Sequence, residues 1–386
     1  MRGASGAASV NRSPSFNDAL QEILIDSAHK DKTSYHVHFG AGKLGMGLVL
    51  PAMERSGVSY AVIQRPSKAW STLGNRSCLE ERDTQAVGVV VNREEIVEGM
   101  KLFTDLDIDS MSDDASVTDF IECSEDGCGS LIISGDREVW EDVITQASSF
   151  TCAVGPALNT WLMPMLDWLP EREDPVERPT LYACENDHLA VQQLAKKLEK
   201  KLTVIPCMVD RICADLKVNQ QDAVITVDAE KHKGSIVLLG DPYQAVSASD
   251  SFEEVDLQVP MGGETVVVPE SQLVANYLYR RKLVTVNGMH TTLAFITLLA
   301  QGESALPVRC EEHKWTCPDV ELITYASAGD KDKKMIWSWA VAQLLMLAWE
   351  HGRVPWHTYS FEAFFCTMQF QPNVLTQLRA HESLRV

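Results

Sequence analysis

The run His36-Val-His-Phe-Gly-Ala-Gly-Lys-Leu-Gly-Met-Gly47 constrains the fold more than any other stretch of this chain. It reads as a short apolar strand that enters Gly40-x-Gly42-x-x-Gly45 and leaves as a helix, with Leu48, Val49, Leu50, Ala52 and Met53 at helical spacing. The three glycines have separate tasks in such a turn. The first allows the tight reversal, the second lets the backbone approach a pyrophosphate, and the third permits the helix to pack closely on the strand. The helix N-terminus then turns free N–H groups and a positive dipole end toward the phosphates. Phe39, Gly40, Ala41, Gly42, Lys43, Leu44 and Gly45 are therefore candidate cofactor-binding residues, against the alternative of a purely structural glycine turn.

The next strand, Tyr60–Gln64, should end in the acid that holds the ribose 2′-hydroxyl in NAD enzymes. It ends instead in Gln64-Arg65-Pro66-Ser67-Lys68. Arg65, Ser67 and Lys68 suit a 2′-phosphate better than a bare ribose, or else form a solvated basic loop. Gln64 and Arg65 join the candidate cofactor residues, and NADP stands at least level with NAD.

Further along, strand-like and helix-like segments alternate. Ala86–Val91 and Ile96–Phe103 read as a strand pair, Ser130–Ile133 as a strand, Arg137–Gln146 as a helix, and Phe150–Val154 as a strand that opens on Gly155-Pro156. Tyr182-Ala-Cys-Glu-Asn186 closes another apolar strand, and His188–Leu202 reads as a helix. Such alternation implies a mostly parallel, doubly wound sheet, whose ligands bind beyond the carboxyl ends of the strands. Val154, Gly155 and Asn186 sit at two of those ends and would border the cofactor. After residue 265 the strand signals fade, and Glu270–Gln301, Lys334–His351 and Ser360–Phe370 read as helices. The expected organisation is a flexible arm over 1–34, a Rossmann-type dinucleotide-binding domain over 35–214, and a mainly α-helical substrate domain over 215–386. A chain of 386 residues exceeds what one core usually holds.

The net charge of −20 argues against nucleic acid or an anionic membrane as partner, because either requires a basic field. No apolar run reaches the roughly 18 residues of a membrane helix, and no segment resembles a secretory signal. The ten cysteines then read as reduced thiols in a cytoplasmic protein. The arm is rich in Ser, Ala and Gly and carries Arg2 and Arg12 ahead of its first acid, Asp18; it reads as a disordered tail, with organelle targeting as the alternative. Residues 105–130, rich in Asp, Glu, Ser and Gly, suggest an exposed excursion. Cys310-x-x-His313-x-x-x-Cys317 has a faint metal-like look but lacks a fourth ligand, and Cys123 and Cys128 are no stronger, so no metal is expected. The oligomeric state is open, with a monomer favoured.

Lys282-Leu-Val-Thr-Val-Asn287-Gly-Met-His290 combines a base, an amide and an imidazole. At ~100° per residue, Asn287 lies roughly 140° and His290 roughly 80° around a helix axis from Lys282, so all three can border one cleft. A lysine serves as general base near neutral pH only if burial or a neighbouring cation lowers its pKa, while an amide and an imidazole can hold an oxygen on which charge changes. That set can oxidise an alcohol without a metal. The alternative is an amphipathic helix with a surface lysine and a packed histidine.

Taken together, Phe39-Gly-Ala-Gly-x-x-Gly, Ala153-Val-Gly-Pro156, Ala183-Cys-Glu-Asn186, Val209-Asp-Arg-Ile212 and Arg281-Lys-Leu-Val-Thr-Val-Asn-Gly-Met-His290 occur in the order and approximate spacing of the polyol-specific long-chain dehydrogenases. Over about residues 36 to 300 the chain resembles that family, and within it the mannitol-1-phosphate 5-dehydrogenase branch. The resemblance implies a metal-independent, NAD- or NADP-linked oxidoreductase. In it Lys282 is the general base, Asn186 and Asn287 stabilise the oxyanion, and His290 hydrogen-bonds the sugar. Asp210 is carried over as a carboxylate near the substrate, with a structural Asp210–Arg211 ion pair as its alternative. The small-molecule partner would be a polyol or a sugar phosphate, best guessed as mannitol 1-phosphate and fructose 6-phosphate. A phosphate would need a cation, and Arg280 and Arg281 beside the base are the nearest candidates, with Lys231 and Lys233 behind them.

The departures from the pattern have consequences. The phosphate-specific branch carries Asn where Lys43 stands, Arg where Met46 stands, and an acid where Gln64 stands. Its basic Arg-x-Pro-x-Arg-Lys segment is not found after residue 300, which implies a divergent or shortened substrate pocket. The competing expectation is a non-catalytic nucleotide-binding or scaffolding protein that keeps the Rossmann domain.

Overall fold

The computed structural model describes residues 35–70, 73, 86–105, 108, 117–122, 129–219, 222–240, 259–301, 308–309, 315–316 and 327–351. The N-terminal arm, most of the acidic excursion, the Cys310 to Cys317 pattern, Cys123, Cys128 and the Ser360–Phe370 segment lie outside the described residues.

The fold is mixed α/β, built on a parallel-rich, doubly wound sheet and followed by helices. Strand β1 (His36–Phe39) leads through the glycine turn into helix α1 over 45–54, and β2 follows at Tyr60–Gln64. The hairpin β3 (Ala86–Val91) and β4 (Glu94–Thr104) turns through Asn92 and Arg93, both at positive φ (54° and 70°), the backbone of a tight two-residue reversal. Then come the short α2 (Val117–Glu122), β5 (Ser130–Ile133), α3 (Arg137–Gln146), β6 (Ser149–Cys152) and α4 over 155–166. After β7 (Thr180–Ala183), α5 (His188–Lys197) and β8 (Thr203–Asp210), the sheet gains β9 (Cys213–Asn219), β10 (Val224–Ala229), β11 (Ser235–Leu238) and β12 (Val266–Val267). The long helix α6 spans 272–301, and α7 is Asp330–His351.

Six strands stand in the order β5-β2-β1-β6-β7-β8, and every neighbouring pair among them is parallel. Counted by their place in the chain this is 3-2-1-4-5-6, the dinucleotide-binding order, with its switch point between β1 and β6. The crevice that such a sheet offers a ligand lies beyond Phe39 and Cys152.

The outer strands change the surroundings of α1. Strands β8 and β9 stand third and twelfth in the sheet order, yet only Arg211 and Ile212 connect them. The sheet must therefore curl until its two sides meet around α1. Met46, Leu48, Val49, Leu50, Ala52 and Met53 are all at most 1% exposed, so this helix is enclosed rather than laid on a surface. Gly47 makes the enclosure possible: a Cβ there would stand 2.7 Å from Cys213 Sγ and 3.1 Å from a Val227 methyl. Pro51 has no N–H to give the Gly47 carbonyl one turn back, and Arg211 Nη1 donates to that carbonyl. Arg211 thus points into the core beneath α1. Among the described residues no Asp210–Arg211 ion pair forms, because successive strand-end side chains leave on opposite faces.

The opposite face of the sheet is covered by α3, α4 and α5, whose Trp140, Val143, Leu158, Leu162, Val191 and Leu194 pack on Val37, Phe39, Phe150 and Leu181. Asp136 and Asp187 cap α3 and α5 by accepting from Glu138 N–H and Ala190 N–H. Ser271 does the same for α6, accepting from Val274 N–H. The first third of α6 packs Val274 and Leu278 against Met208 and Val237 of the sheet. Its length and composition meet the requirement for crossing a bilayer over Gln272–Ala300, although the sequence shows no unbroken apolar run of that length. The helix is pinned to the sheet at its start and carries Phe295 and Leu299 exposed beyond.

Candidate active site

The three glycines of the turn differ in the space around them. Gly40 has φ +104°, and a Cβ on it would stand 2.8 Å from Ala153 O. A Cβ on Gly45 would stand 2.1 Å from Gly40 O and 2.7 Å from His38 Nε2, so the helix begins in direct contact with the turn. Around Gly42 nothing lies within 4 Å of that position. The second glycine therefore faces open space at the switch point, where backbone can approach a diphosphate. Met46 N–H makes a helix bond to Gly42 O, and the N–H groups ahead of it stand at the open N-terminus.

The flanking candidates divide into those that line the crevice and those that support it. Phe39 is fully buried, its ring 5.9 Å from Phe150 and 6.3 Å from Trp161, so the side chain belongs to the core beneath the turn. Ala41 is buried, and its N–H donates to Gln64 Oε1 at 3.0 Å. Gln64 Nε2 in turn donates to Arg65 O at 2.9 Å. Both ends of the Gln64 amide are thereby engaged, its oxygen tying the glycine turn to the end of β2 and its nitrogen bonding within its own loop. Arg65 is exposed, with its guanidinium 4.7 Å from the centre of the Trp161 ring. Leu44 is half-buried against the core, and Lys43 Nζ donates to Ala214 O at 2.5 Å, tying the turn to β9.

On the other side of the switch point, a buried carboxylate organises the loops. Glu185, 4% exposed, accepts Val154 N–H at 2.6 Å and Gly155 N–H at 3.0 and 3.1 Å. Burial raises its pKa, and the two backbone donors oppose that rise. The bond locks the end of β6 to the end of β7 and leaves Asn186, the next residue, at the rim. No role for Glu185 follows from the motif alone; the only sequence signal is an acid closing an apolar strand. Gly155 has φ +56° and open space where a Cβ would stand.

Lys282 reaches this rim from α6. Its Nζ donates to Asn186 Oδ1 at 2.8 Å and to Val209 O at the end of β8. Burial depresses the lysine pKa, and nearby Asp210 partly restores it. His188, unassigned by sequence, lies beside the pair: burial and then the Lys282 charge push its pKa down, and its ring meets Tyr279 edge-on at 4.6 Å.

Residues Lys282–Asn287 are wound as π-helix. In an α-helix Asn287 would stand roughly 140° from Lys282; bonding from i to i+5 brings it back toward the lysine side. Asn287 and His290 are exposed and, among the described residues, neither side chain has a hydrogen-bond partner. Gly288 and Met289 between them face α7: a Cβ on Gly288 would stand 2.9 Å from Trp339 Nε1, and Met289 packs with Ile336 and Ala340.

The cations near the site are mostly engaged. Arg280 pairs with Glu350 at 3.0 Å, and Lys233 pairs with Glu264. Arg281 is half-buried, 6.0 Å from the centre of the Tyr277 ring, and hydrogen-bonds that phenol. Lys231 is exposed. Among the described residues no group of His, Cys, Asp and Glu has the arrangement of a metal site.

No family model matches the chain, and no curated protein does. Among solved structures it is similar to glycerol-3-phosphate dehydrogenase from Coxiella burnetii, at 10% identity and TM-score 0.32 over 71% of this chain and 64% of that one. It is also similar to NADP+-bound yersinopine dehydrogenase, at 11% identity and TM-score 0.33 over 76% and 60%, and to an NDP-N-acetyl-D-galactosaminuronic acid dehydrogenase from Methanosarcina mazei, at 11% and 0.33 over 74% and 54%. The chain spans less than two thirds of the length of each of these three proteins. Likeness at such TM-scores carries no argument about activity; that has to come from the residues of the site.

Proposed function

We propose that this chain is an NAD(P)-linked oxidoreductase that interconverts a sugar or sugar phosphate and its polyol, with Lys282 as general base. The observation that carries the reading is the contact of Lys282 Nζ with Asn186 Oδ1 at 2.8 Å, made at the carboxyl ends of β7 and β8, on the same edge of the parallel sheet as the glycine turn after β1. A half-buried lysine with a depressed pKa, at the rim of a dinucleotide-binding sheet, is what proton abstraction from an alcohol requires.

The turn fits a dinucleotide by the test of its own geometry: open space at Gly42 and Gly155, and close packing at Gly40 and Gly45. The turn over 40–45, with Val154 and Gly155, would hold the cofactor, and when bound a nicotinamide supplies a hydride acceptor or donor. Gln64 is already committed to the turn, and Arg65 stands exposed on Trp161 beside it. That arrangement favours a 2′-phosphate, hence NADP over NAD.

The chain's own part in the reaction is proton handling and orientation. Asn186 gives its Oδ1 to Lys282, so its Nδ2 is left to donate to the reacting oxygen. In the neutral state Lys282 donates to Asn186 and Val209 O while its lone pair accepts the hydroxyl proton. Asp210 keeps the lysine from losing its basicity altogether. Asn287 and His290, exposed on the following turns of α6, supply further contacts to a polyhydroxyl chain. The pair fructose 6-phosphate and mannitol 1-phosphate is the first to test, with Arg281 as the phosphate contact.

The experiment is a screen of NADPH and NADH consumption with fructose 6-phosphate, fructose and hexuronates, in wild type and Lys282→Ala. Turnover with one of these that disappears in the variant supports the reading. Tight nucleotide binding without turnover of any of them favours a non-catalytic nucleotide-binding protein.

A further inference from the structure

Strand β1 carries two histidines that the reaction above does not use. His36 and His38 are both 0% exposed and lie two residues apart on one face of the strand, beneath the enclosed helix α1. The neighbouring β6 presents Ser149 and Thr151 in register with them, His36 against Ser149 and His38 against Thr151. Four contacts join the set: Ser149 Oγ to His36 Nδ1 at 2.9 Å, His36 Nε2 to Thr151 Oγ1 at 2.9 Å, Thr151 Oγ1 to His38 Nδ1 at 2.7 Å, and His38 Nε2 to Gly40 O at 3.1 Å.

The direction of every bond follows from its last link. A carbonyl only accepts, so His38 Nε2 carries a hydrogen. Burial, partly opposed by the backbone carbonyls of Gly40 and Thr151, lowers the His38 pKa to about 4, so at neutral pH its Nδ1 is bare and must accept from the Thr151 hydroxyl. That hydroxyl, which has only the weak thioether acceptor Met53 Sδ at 3.7 Å as a rival, has then used its one hydrogen, and its oxygen accepts from His36 Nε2–H. His36 Nδ1 accepts in turn from Ser149 Oγ–H. The chain has a single polarity, runs from Ser149 to the first glycine of the cofactor turn, and satisfies both buried rings completely.

We propose that His38 is a positioning residue for the nucleotide: held at a fixed angle by Thr151, it sets the orientation of the Gly40 peptide and so the aim of the turn that follows. The proposal rests on the nucleotide-binding reading above. Two further facts support it. The Gly40 N–H is pinned to Ile63 O at 3.0 Å, so the His38 bond fixes the remaining polar atom of that residue. A Cβ on Gly45 would meet both partners of the His38–Gly40 bond, which places the start of α1 directly on it. A glycine at φ +104° has little intrinsic preference to hold this geometry, and the imidazole supplies it.

The test compares His38→Leu, which removes the donor, His38→Gln, whose side-chain amide can still donate to Gly40 O, and Thr151→Val, which keeps the shape and removes the hydroxyl. NADPH and NADH affinities are measured by fluorescence titration, with unfolding of the nucleotide-free chain followed in parallel. Losing one hydrogen bond of this kind should weaken binding about tenfold in His38→Leu, less in Thr151→Val, with His38→Gln within about threefold of wild type. A folded His38→Leu with wild-type affinity, or a Gln variant no better than Leu, overturns the positioning role. If His38→Leu does not fold, Thr151→Val decides, and unchanged affinity there overturns it. Ring nitrogen chemical shifts of His38 supply a separate reading: an Nδ1-protonated tautomer at neutral pH contradicts the chain. A wild type that binds neither nucleotide sinks the nucleotide reading itself, and the proposal with it.

Discussion

Two alanine substitutions in the glycine turn should have opposite effects. Around Gly42 there is nothing within 4 Å of a new Cβ, and the residue is not in the left-handed region, so Gly42→Ala meets no clash. Lowering the entropy of the unfolded chain should leave the variant as stable as wild type or more stable by about 0.4 to 1 kcal/mol. At Gly45 the new methyl would stand 2.1 Å from a backbone carbonyl oxygen and 2.7 Å from the buried His38 ring, closer than real Cβ contacts come. Neither neighbour is the free end of a flexible side chain, so α1 must lift off the turn. Overpacking of this severity costs about 3 kcal/mol or more. Urea unfolding followed by fluorescence measures both changes, and NADPH titration supplies the second axis. Gly42→Ala should fold normally and lose tenfold or more in affinity, at least about 1.4 kcal/mol, because its methyl occupies the space a diphosphate would take. Unchanged affinity in Gly42→Ala would refute the placement of the diphosphate, and wild-type stability in Gly45→Ala would refute the packing of α1 on the turn.

Three further outcomes follow from the same geometry. Lys282→Ala should lower turnover by roughly 10² to 10⁴ while leaving NADPH affinity within a few-fold, since the proton acceptor acts in the chemical step; retained turnover in steady-state assays would remove Lys282 as the base. Arg65→Asp should shift preference from NADPH toward NADH, as a carboxylate replaces the exposed guanidinium on Trp161; an unchanged ratio of the two affinities would place that loop away from the adenosine. Acid should destabilise the fold through the histidine pair. Because the folded pKa of His38 is about 4 against an ordinary 6.5, its contribution is present above about pH 6.5 and is lost as pH falls toward 4, a drop of roughly 3 kcal/mol for that ring alone. His36 is shifted in the same direction by burial and by His38. Unfolding free energies that stay flat across that interval, or the same slope in His38→Gln, would contradict it.

Much of the fold is legible because the parallel core obeys local rules. Tyr60–Gln64, Ser130–Ile133 and Arg137–Gln146 stand at the ends their residues suggest, and the glycine turn can be read residue by residue. Other elements give no such signal. Helix α5 stops at Lys197 instead of running to Leu202, since Leu198 leaves the helical region (φ −105°, ψ 17°). Strand β9 lies at a sheet edge with no fully buried residue, so Cys213-Ala-Asp-Leu-Lys-Val-Asn219 lacks a clean alternation. The curl that joins β8 to β9 is a long-range event, and with it goes the reason Arg211 turns inward to Gly47. At the site, Lys282 stands out by its spacing to Asn287 and His290 and Asn186 by its place at a strand end, but their contact spans 96 residues and has no local signal. The π winding over Lys282–Asn287 is not legible, because a 3.6-residue period assumes α winding and so sets a different angle between the two residues. His36 and His38 hide within an apolar strand, and only the facing Ser149 and Thr151, more than a hundred residues away, explain their burial.

The most direct test of the account is a pH–rate profile for reduced nicotinamide consumption and its reverse, measured with fructose 6-phosphate, fructose and hexuronates and their polyols. Lys282 as a half-buried base implies that polyol oxidation rises with pH through one ionisation below the ordinary lysine value of 10.5, and that this limb vanishes in Lys282→Ala together with the activity. A profile whose limb survives in Lys282→Ala, or a chain that binds NADPH tightly and turns over none of these compounds, would contradict it.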